Sequence, residues 1–111
     1  MVEALDRLGI ASFVAGDLQK ALGAFNHSLQ VKTQIMTDCD AYSTSTTIHC
    51  IADVYSKKGK WIQAMDAYNA ALEVIKKADD TLEDVRRSKD ALEQKVDSIR
   101  RLLGIQEGPM A

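Results

Sequence analysis

Cys39, His49 and Cys50 are the chain's nearest approach to a metal-binding group, because thiolate and imidazole are the ligands that zinc prefers. Their spacing argues against a site. His49 and Cys50 are neighbours, and on a helix adjacent side chains point about 100° apart. No Cys-x-x-Cys or His-x-x-x-His pair accompanies them, and a fourth ligand has no candidate. Catalytic chemistry has no better footing, since the chain lacks a nucleophile elbow, a Gly-rich phosphate loop and a zinc-protease motif. His27 and His49 are its only histidines, and His27, two residues after Phe25, reads as a surface residue. The carboxylates lie among basic residues along helical faces, the pattern of a solvated surface rather than of a general acid and base. No catalytic residue, metal or cofactor is expected. Two cysteines without framework spacing suit a reducing compartment.

The elements that position these residues come from an internal repeat with an offset of 43 residues, in which Gly16-Asp17-Leu18 through Leu29 recurs as Gly59-Lys60-Trp61 through Leu72. Leu5 pairs with Ile48, Leu8 with Ile51, Gly9 with Ala52, Ala21 with Ala64, Leu22 with Met65, Phe25 with Tyr68, Ser28 with Ala71 and Val31 with Val74. Small residues match small ones and large apolar residues match large apolar ones. Leu5, Leu8 and Ser12, like Ile48, Ile51 and Tyr55, follow helical spacing and predict a first helix with one buried stripe. Gly16 and Gly59 end those helices, where a left-handed residue needs no Cβ. The stripe resumes at Leu18, Ala21, Leu22, Phe25 and Leu29, and at Trp61, Ala64, Met65, Tyr68 and Leu72, predicting a second helix. The alanine admits the paired helix closely, and the aromatic one turn on fills the remaining space.

Leu8-Gly9, Gly16-Asp17, Ala21, Phe25 and Leu29, then Tyr55, Gly59, Ala64, Tyr68, Ala71 and Leu72, resemble the tetratricopeptide repeat (TPR) pattern over roughly residues 2 to 76. Neither copy has the early Trp of that pattern, Leu5 and Ile48 standing there; Ser12 replaces an aromatic, and the closing Pro is absent. The common unit is about 34 residues, so the spacing here resembles the longer units of kinesin light chain proteins. The resemblance implies an all-α fold of two helix-turn-helix repeats (about 2–37 and 40–78), a segment of right-handed α-α superhelix closed by a C-terminal capping helix (79–104), with 105–111 as a flexible tail.

The extra length falls between the copies. Gln30 to Met36 continues without Gly or Pro and keeps apolar residues at Val31 and Ile35, so the second helix runs long, with the break near Thr37-Asp38-Cys39-Asp40. The run Ser43-Thr44-Ser45-Thr46-Thr47 consists of weak helix formers and predicts a fraying, solvated helix start; phosphorylation there is the regulatory alternative. After copy two, Thr81 and Asp84 resemble a capping box. Leu82, Val85, Lys89, Leu92, Val96, Ile99 and Leu103 then follow 3,4 spacing up to Gly104, with a charged outer face. Such a helix either covers the last apolar edge of the repeats or pairs with a second copy through Leu92, Val96 and Ile99, making a homodimer or larger complex.

In 111 residues there is one Pro, at position 109, which agrees with one small all-helical domain. Two repeats are fewer than the roughly three usually needed for independent stability, so either the last helix completes the domain or the chain belongs to a longer protein or assembly. A net charge of −2 with interspersed signs argues against a nucleic-acid surface. No apolar run approaches the roughly 18 residues of a membrane span. A soluble, cytoplasmic chain is expected, and a removed targeting peptide would leave no trace.

Function then falls to a surface. In TPR-like stacks the first helix of each repeat lines the concave face, which here implies Arg7, Ile10, Phe13 and Val14 from copy one and His49, Asp53 and Lys57 from copy two. Ile10, Phe13 and Val14 form an apolar patch that either receives a partner helix or peptide with an apolar anchor or packs on a neighbouring helix. The carboxylate clamp by which some TPR proteins grip acidic chaperone tails needs a basic residue and, one turn on, an Asn. This chain has Asp6 and Ile10 there, and His49-Cys50 where the second repeat would supply a polar Asn. No affinity for a peptide with a free acidic C-terminus is expected by fluorescence titration; tight binding that is lost on mutating His49 or Lys57 would contradict this.

Overall fold

The structure, a computed structural model, describes residues 2–35 and 41–104, and these are all-helical. Five α-helices follow one another: α1 (Val2–Ala15), α2 (Leu18–Gln30), α3 (Ala41–Lys57), α4 (Trp61–Ile75) and α5 (Glu83–Leu103), with a π-helical turn at Val31–Ile35 extending α2. Each helix packs chiefly on the next in sequence, while α1 also meets α3 and α3 meets α5. The odd-numbered helices therefore share one side of the molecule and the even-numbered helices the other.

The two copies close their first helices with the same hydrogen bonds. Gly16 (φ 88°) donates its amide to Phe13 O and Asp17 to Ser12 O; Gly59 (φ 76°) donates to Ser56 O and Lys60 to Tyr55 O. This is the helix stop that a left-handed glycine permits. The paired positions are buried alike, with Ala21 and Ala64 fully covered and Phe25 and Tyr68 at 2% and 1% exposure. A Cβ on Gly9 would lie 2.6 Å from the Phe25 ring, so glycine is what lets α2 approach α1 so closely.

The seam between the hairpins joins an apolar contact, Ala21 and Phe25 of α2 against Ile51 and Val54 of α3, to a polar one. The Lys32 side chain, 3% exposed, projects from the π-helical turn and spends all three ammonium protons: on Asp6 Oδ2 of α1 at 3.0 Å, on Thr47 Oγ1 of α3 at 2.6 Å and on Ser43 O at 3.1 Å. A buried cation is tolerated only with its donors satisfied, and these contacts tie α1, α2 and α3 together. Within the second hairpin, Ser45 Oγ donates to Ala71 O of α4 at 3.0 Å.

Several expectations change. The Ser43–Thr47 run is helical, and it is not a solvated start: Ser45 and Thr47 are buried because their short hydroxyl side chains admit close helix approach and bond across it. Burial likewise removes these two hydroxyls from any regulatory modification. In the α1 stripe, Gly9 and Ser12 are buried while Leu8 is 43% exposed, because among the described residues no helix covers the side of α1 that α2 covers on α3. The capping box does not form, since Thr81 gives both its amide and its hydroxyl to Asp79, leaving Leu82 at the cap without a side-chain bond. The break at Thr37–Asp40, Cys39 and the 105–111 tail lie outside the described residues.

Val85, Leu92, Val96 and Ile99 of α5 are buried in one cluster with Ala64, Tyr68, Ala71 and Ile75 of α4. At about 2 kcal/mol for each buried aliphatic side chain, separating α5 from α4 is costly. Leu92, Val96 and Ile99 thus serve the chain's own core, and a self-association seam through them would require α5 to leave it.

The Lys32 contacts yield a comparison of two variants. Asp6→Ala leaves a buried ammonium short of its carboxylate and is expected to cost about 3 kcal/mol, whereas Lys32→Met removes the charge and frees the half-exposed Asp6 to hydrate, at a smaller cost. Urea unfolding of both checks the order; equal losses would contradict a desolvated charge as the cause.

Candidate functional site

On the side shared by α1 and α3, a cavity of about 200 Å³ opens between Ile10 and Phe13 of α1, Phe25 of α2, and Cys50 and Asp53 of α3. Phe25, held against Gly9, forms its floor. Ile10 is 51% exposed at the rim and Phe13 is half-buried. Small-molecule sites run from about 300 to 1,000 Å³, so this cavity suits a single apolar side chain better than a cofactor. A larger cavity of about 680 Å³ lies where α3 begins and the chain passes from α4 to α5, edged by Tyr42, Leu82 and the acidic Asp79, Glu83 and Asp84.

Beside the smaller cavity Asp53 gathers a polar cluster from three helices. Its Oδ1 accepts a hydrogen bond from Tyr68 OH of α4, and lies 3.7 Å from His49 Nε2 and 3.6 Å from Lys95 Nζ of α5. Ser56 Oγ stands 3.4 Å from Tyr68 OH. The His49 ring meets the Tyr68 ring edge-on at 5.6 Å, and the Lys95 ammonium lies 6.0 Å from the centre of the same ring.

The electrostatics of the cluster keep its groups in unreactive forms. Burial raises the Tyr68 phenol well above its usual value, and its hydrogen bond to Asp53 raises it further. The Cys50 thiol is pushed up to about 11 by burial and then by the Asp53 and Asp6 charges, so it is neither a thiolate nucleophile nor a ready metal ligand at neutral pH. His49 is held below 6.5 by burial, which outweighs the attraction of Asp53 and is reinforced by Lys95, and is therefore neutral near pH 7. With His49 neutral, the Asp53 carboxylate and the Lys95 ammonium offset each other. The arrangement can position donors and acceptors next to an apolar recess, and it presents no strong net charge to a ligand.

The structure brings together Ile10, Phe13, His49 and Asp53 of the expected concave-face residues. Arg7, Val14 and Lys57 stand apart: Arg7 is exposed and 3.9 Å from Glu3, Val14 is 80% exposed, and Lys57 is exposed at the end of α3. Phe25, Tyr68 and Lys95 belong to the site and were not expected there. The Tyr68 hydroxyl was the available signal, since a tyrosine where the other copy has Phe25 implies a hydrogen-bond partner for its buried ring. Nothing in the α5 pattern singles out Lys95 from the other charges on its outer face. Among the described residues no three His, Cys, Asp or Glu side chains converge on a point where a metal ion could sit, and no helix is long and apolar enough to cross a membrane.

Compared with family models, with curated proteins and with solved structures, the chain finds no match.

Protonation of His49 has a measurable consequence. In the unfolded chain the imidazole takes a proton as pH falls through about 6.5, whereas the folded chain resists until lower pH, so stability declines across that window. Urea midpoints measured from about pH 7 to pH 5 are expected to fall less steeply in His49→Gln than in the wild type. An unchanged slope would move the pH dependence to other groups.

Proposed function

We propose that this chain is a non-catalytic protein-interaction module of the TPR type, two repeats capped by α5, that docks a helix or peptide of a partner protein on the face formed by α1 and α3. The cavity between Ile10, Phe13, Phe25, Cys50 and Asp53 carries this reading. It lies where the resemblance puts a concave face, it is sized for one apolar anchor side chain, and exposed Ile10 gives it an open rim. The equivalent hydrogen bonds at Gly16 and Gly59, and the alternation of odd and even helices on two sides, support the repeat architecture. Burial of Leu92, Val96, Ile99 and Val85 against α4 supports capping as the role of α5 over self-pairing through that helix.

The groups around the cavity favour recognition by shape and hydrogen bonding. Asp53 is already engaged by Tyr68 and Lys95, so an acidic tail meets a carboxylate and a basic one meets an ammonium. A partner segment with an apolar side chain for the recess and backbone groups for the Asp53 cluster fits both.

Selection of displayed random peptides against the whole chain tests the reading. Binders are expected to share an apolar anchor and to lose about tenfold or more in affinity against Ile10→Asp, a substitution at an exposed position that leaves the core intact. Phe13→Asp is expected to reproduce the loss. Selected peptides that bind both variants as well as the wild type would place recognition elsewhere.

A further inference from the structure

Two recesses open along one face of α3. Tyr42, His49 and Asp53 fall at helical spacing in a single stripe of that helix. Asp53 borders the smaller recess with Ile10 and Phe13, and Tyr42 borders the larger cavity with Leu82 and Val85, where α5 begins. Tyr42 and Asp84 line the same cavity, and further along Lys95 meets Asp53 at 3.6 Å, so α3 and α5 run parallel. The larger cavity is the place where the groove between them stands open below that ion pair. By the rise of α3, the two openings lie about 12 to 16 Å apart, from Tyr42 to Cys50 and to Asp53.

Their walls differ in kind. The smaller recess, about 200 Å³, is apolar, and its one charge, Asp53, is already met by Lys95. The larger, about 680 Å³, combines Tyr42 and Leu82, 36% and 55% exposed, with the carboxylates of Asp79, Glu83 and Asp84 against the single ammonium of Lys77. Glu83 is paired with Arg87. Asp79 accepts the Thr81 amide and hydroxyl, which hold its carboxyl below the usual value, and Asp84 has no ion pair among the described residues. This end of the groove therefore keeps a negative charge.

We propose that the segment docked here is an extended stretch of the partner protein carrying two apolar side chains about four residues apart. One fills the Ile10 and Phe13 recess. The other, an aromatic ring, enters the Tyr42 and Leu82 cavity, and a lysine or arginine just beyond it faces Asp79 and Asp84. The proposal rests on the reading of the α1 and α3 face as a docking surface. Four residues of extended chain cover about 13 Å, which matches the separation, and return side chains to the same side. A helix would need about eight to eleven residues for that span and would keep its backbone groups for itself, offering none to the Asp53 cluster. The larger opening exceeds what one aliphatic side chain fills, and an aromatic ring can stack on Tyr42. At the open rim the opposite charges are screened, so the basic residue sets orientation more than affinity.

Selection of displayed random peptides of about twelve residues against the whole chain tests the proposal. Leu82→Asn removes the apolar wall at a helix cap, a position that asparagine favours, and Asp84→Lys reverses a charge at an exposed position. Selected peptides are expected to share two apolar positions at the stated spacing, with a basic residue beyond the aromatic one. They are expected to bind Leu82→Asn about tenfold and Asp84→Lys about threefold more weakly than the wild type. The second loss is expected to be recovered at least in part when the basic residue of the peptide is changed to glutamate, a rescue that a folding defect would not give. Peptides weakened by Ile10→Asp but not by Leu82→Asn overturn the two-recess proposal and leave the docking face standing. Peptides indifferent to both variants remove the docking face and the proposal with it. Anchors about seven or eight residues apart, as a docked helix would carry them, overturn it as well.

Discussion

A single ammonium group adds a directional anchor to the junction between the two hairpins, beside the apolar contact of Ala21 and Phe25 with Ile51 and Val54. Lys32 carries three protons into a place with almost no water, and each must find an acceptor. Asp6, Thr47 and the Ser43 carbonyl supply them from α1 and α3. Because these acceptors lie on different helices, satisfying them fixes how far α1 stands from α3. That separation defines the recess bounded by Ile10 and Phe13 on one side and Cys50 and Asp53 on the other. A fully apolar seam would have held the hairpins together without choosing their spacing so sharply, since dispersion contacts are non-directional and hydrogen bonds are not.

The two copies use the same position for different ends. Phe25 and Tyr68 are both buried at the centre of their hairpins, yet one is the bare floor of a cavity and the other delivers a hydroxyl to Asp53. One oxygen atom separates the two outcomes. In the first copy, glycine at position 9 draws the ring against α1 and leaves space above it. In the second, Ala52 occupies the matching position, and the phenol is surrounded by Asp53, Ser56, His49 and Lys95. An apolar recess thus borders a polar cluster, an arrangement that arises because the repeat is imperfect.

Much of the fold was legible because the repeat displays its own constraints twice. Gly16 and Gly59 marked the helix ends, and Ala21, Ala64, Phe25 and Tyr68 marked the close contact within each hairpin, since those residue types have few other uses at such spacing. Lys32 was legible in principle. Its counterpart is Ile75, a core residue at 1% exposure, so a lysine there signalled a cation in an apolar position that needed an anion. Ser45 and Thr47 were misleading for a different reason: hydroxyl side chains have the same local preferences whether they bond water or a neighbouring helix. In α5 the 3,4 spacing revealed an apolar stripe and was silent on which helix would meet it.

The sequence by itself determined the local elements: five helices, three glycine stops, and an apolar stripe on each helix, because periodicity and backbone conformation depend on residues close in the chain. Only the tertiary structure decided what faced what. It turned Asp6 toward Lys32, gathered Asp53, Tyr68 and Lys95 from three helices, sealed Leu92 and Val96 against α4, and left Leu8 in the open. Those outcomes depend on relative helix positions, and these are set by volume and hydrogen-bond satisfaction across residues distant in sequence, which no local pattern encodes.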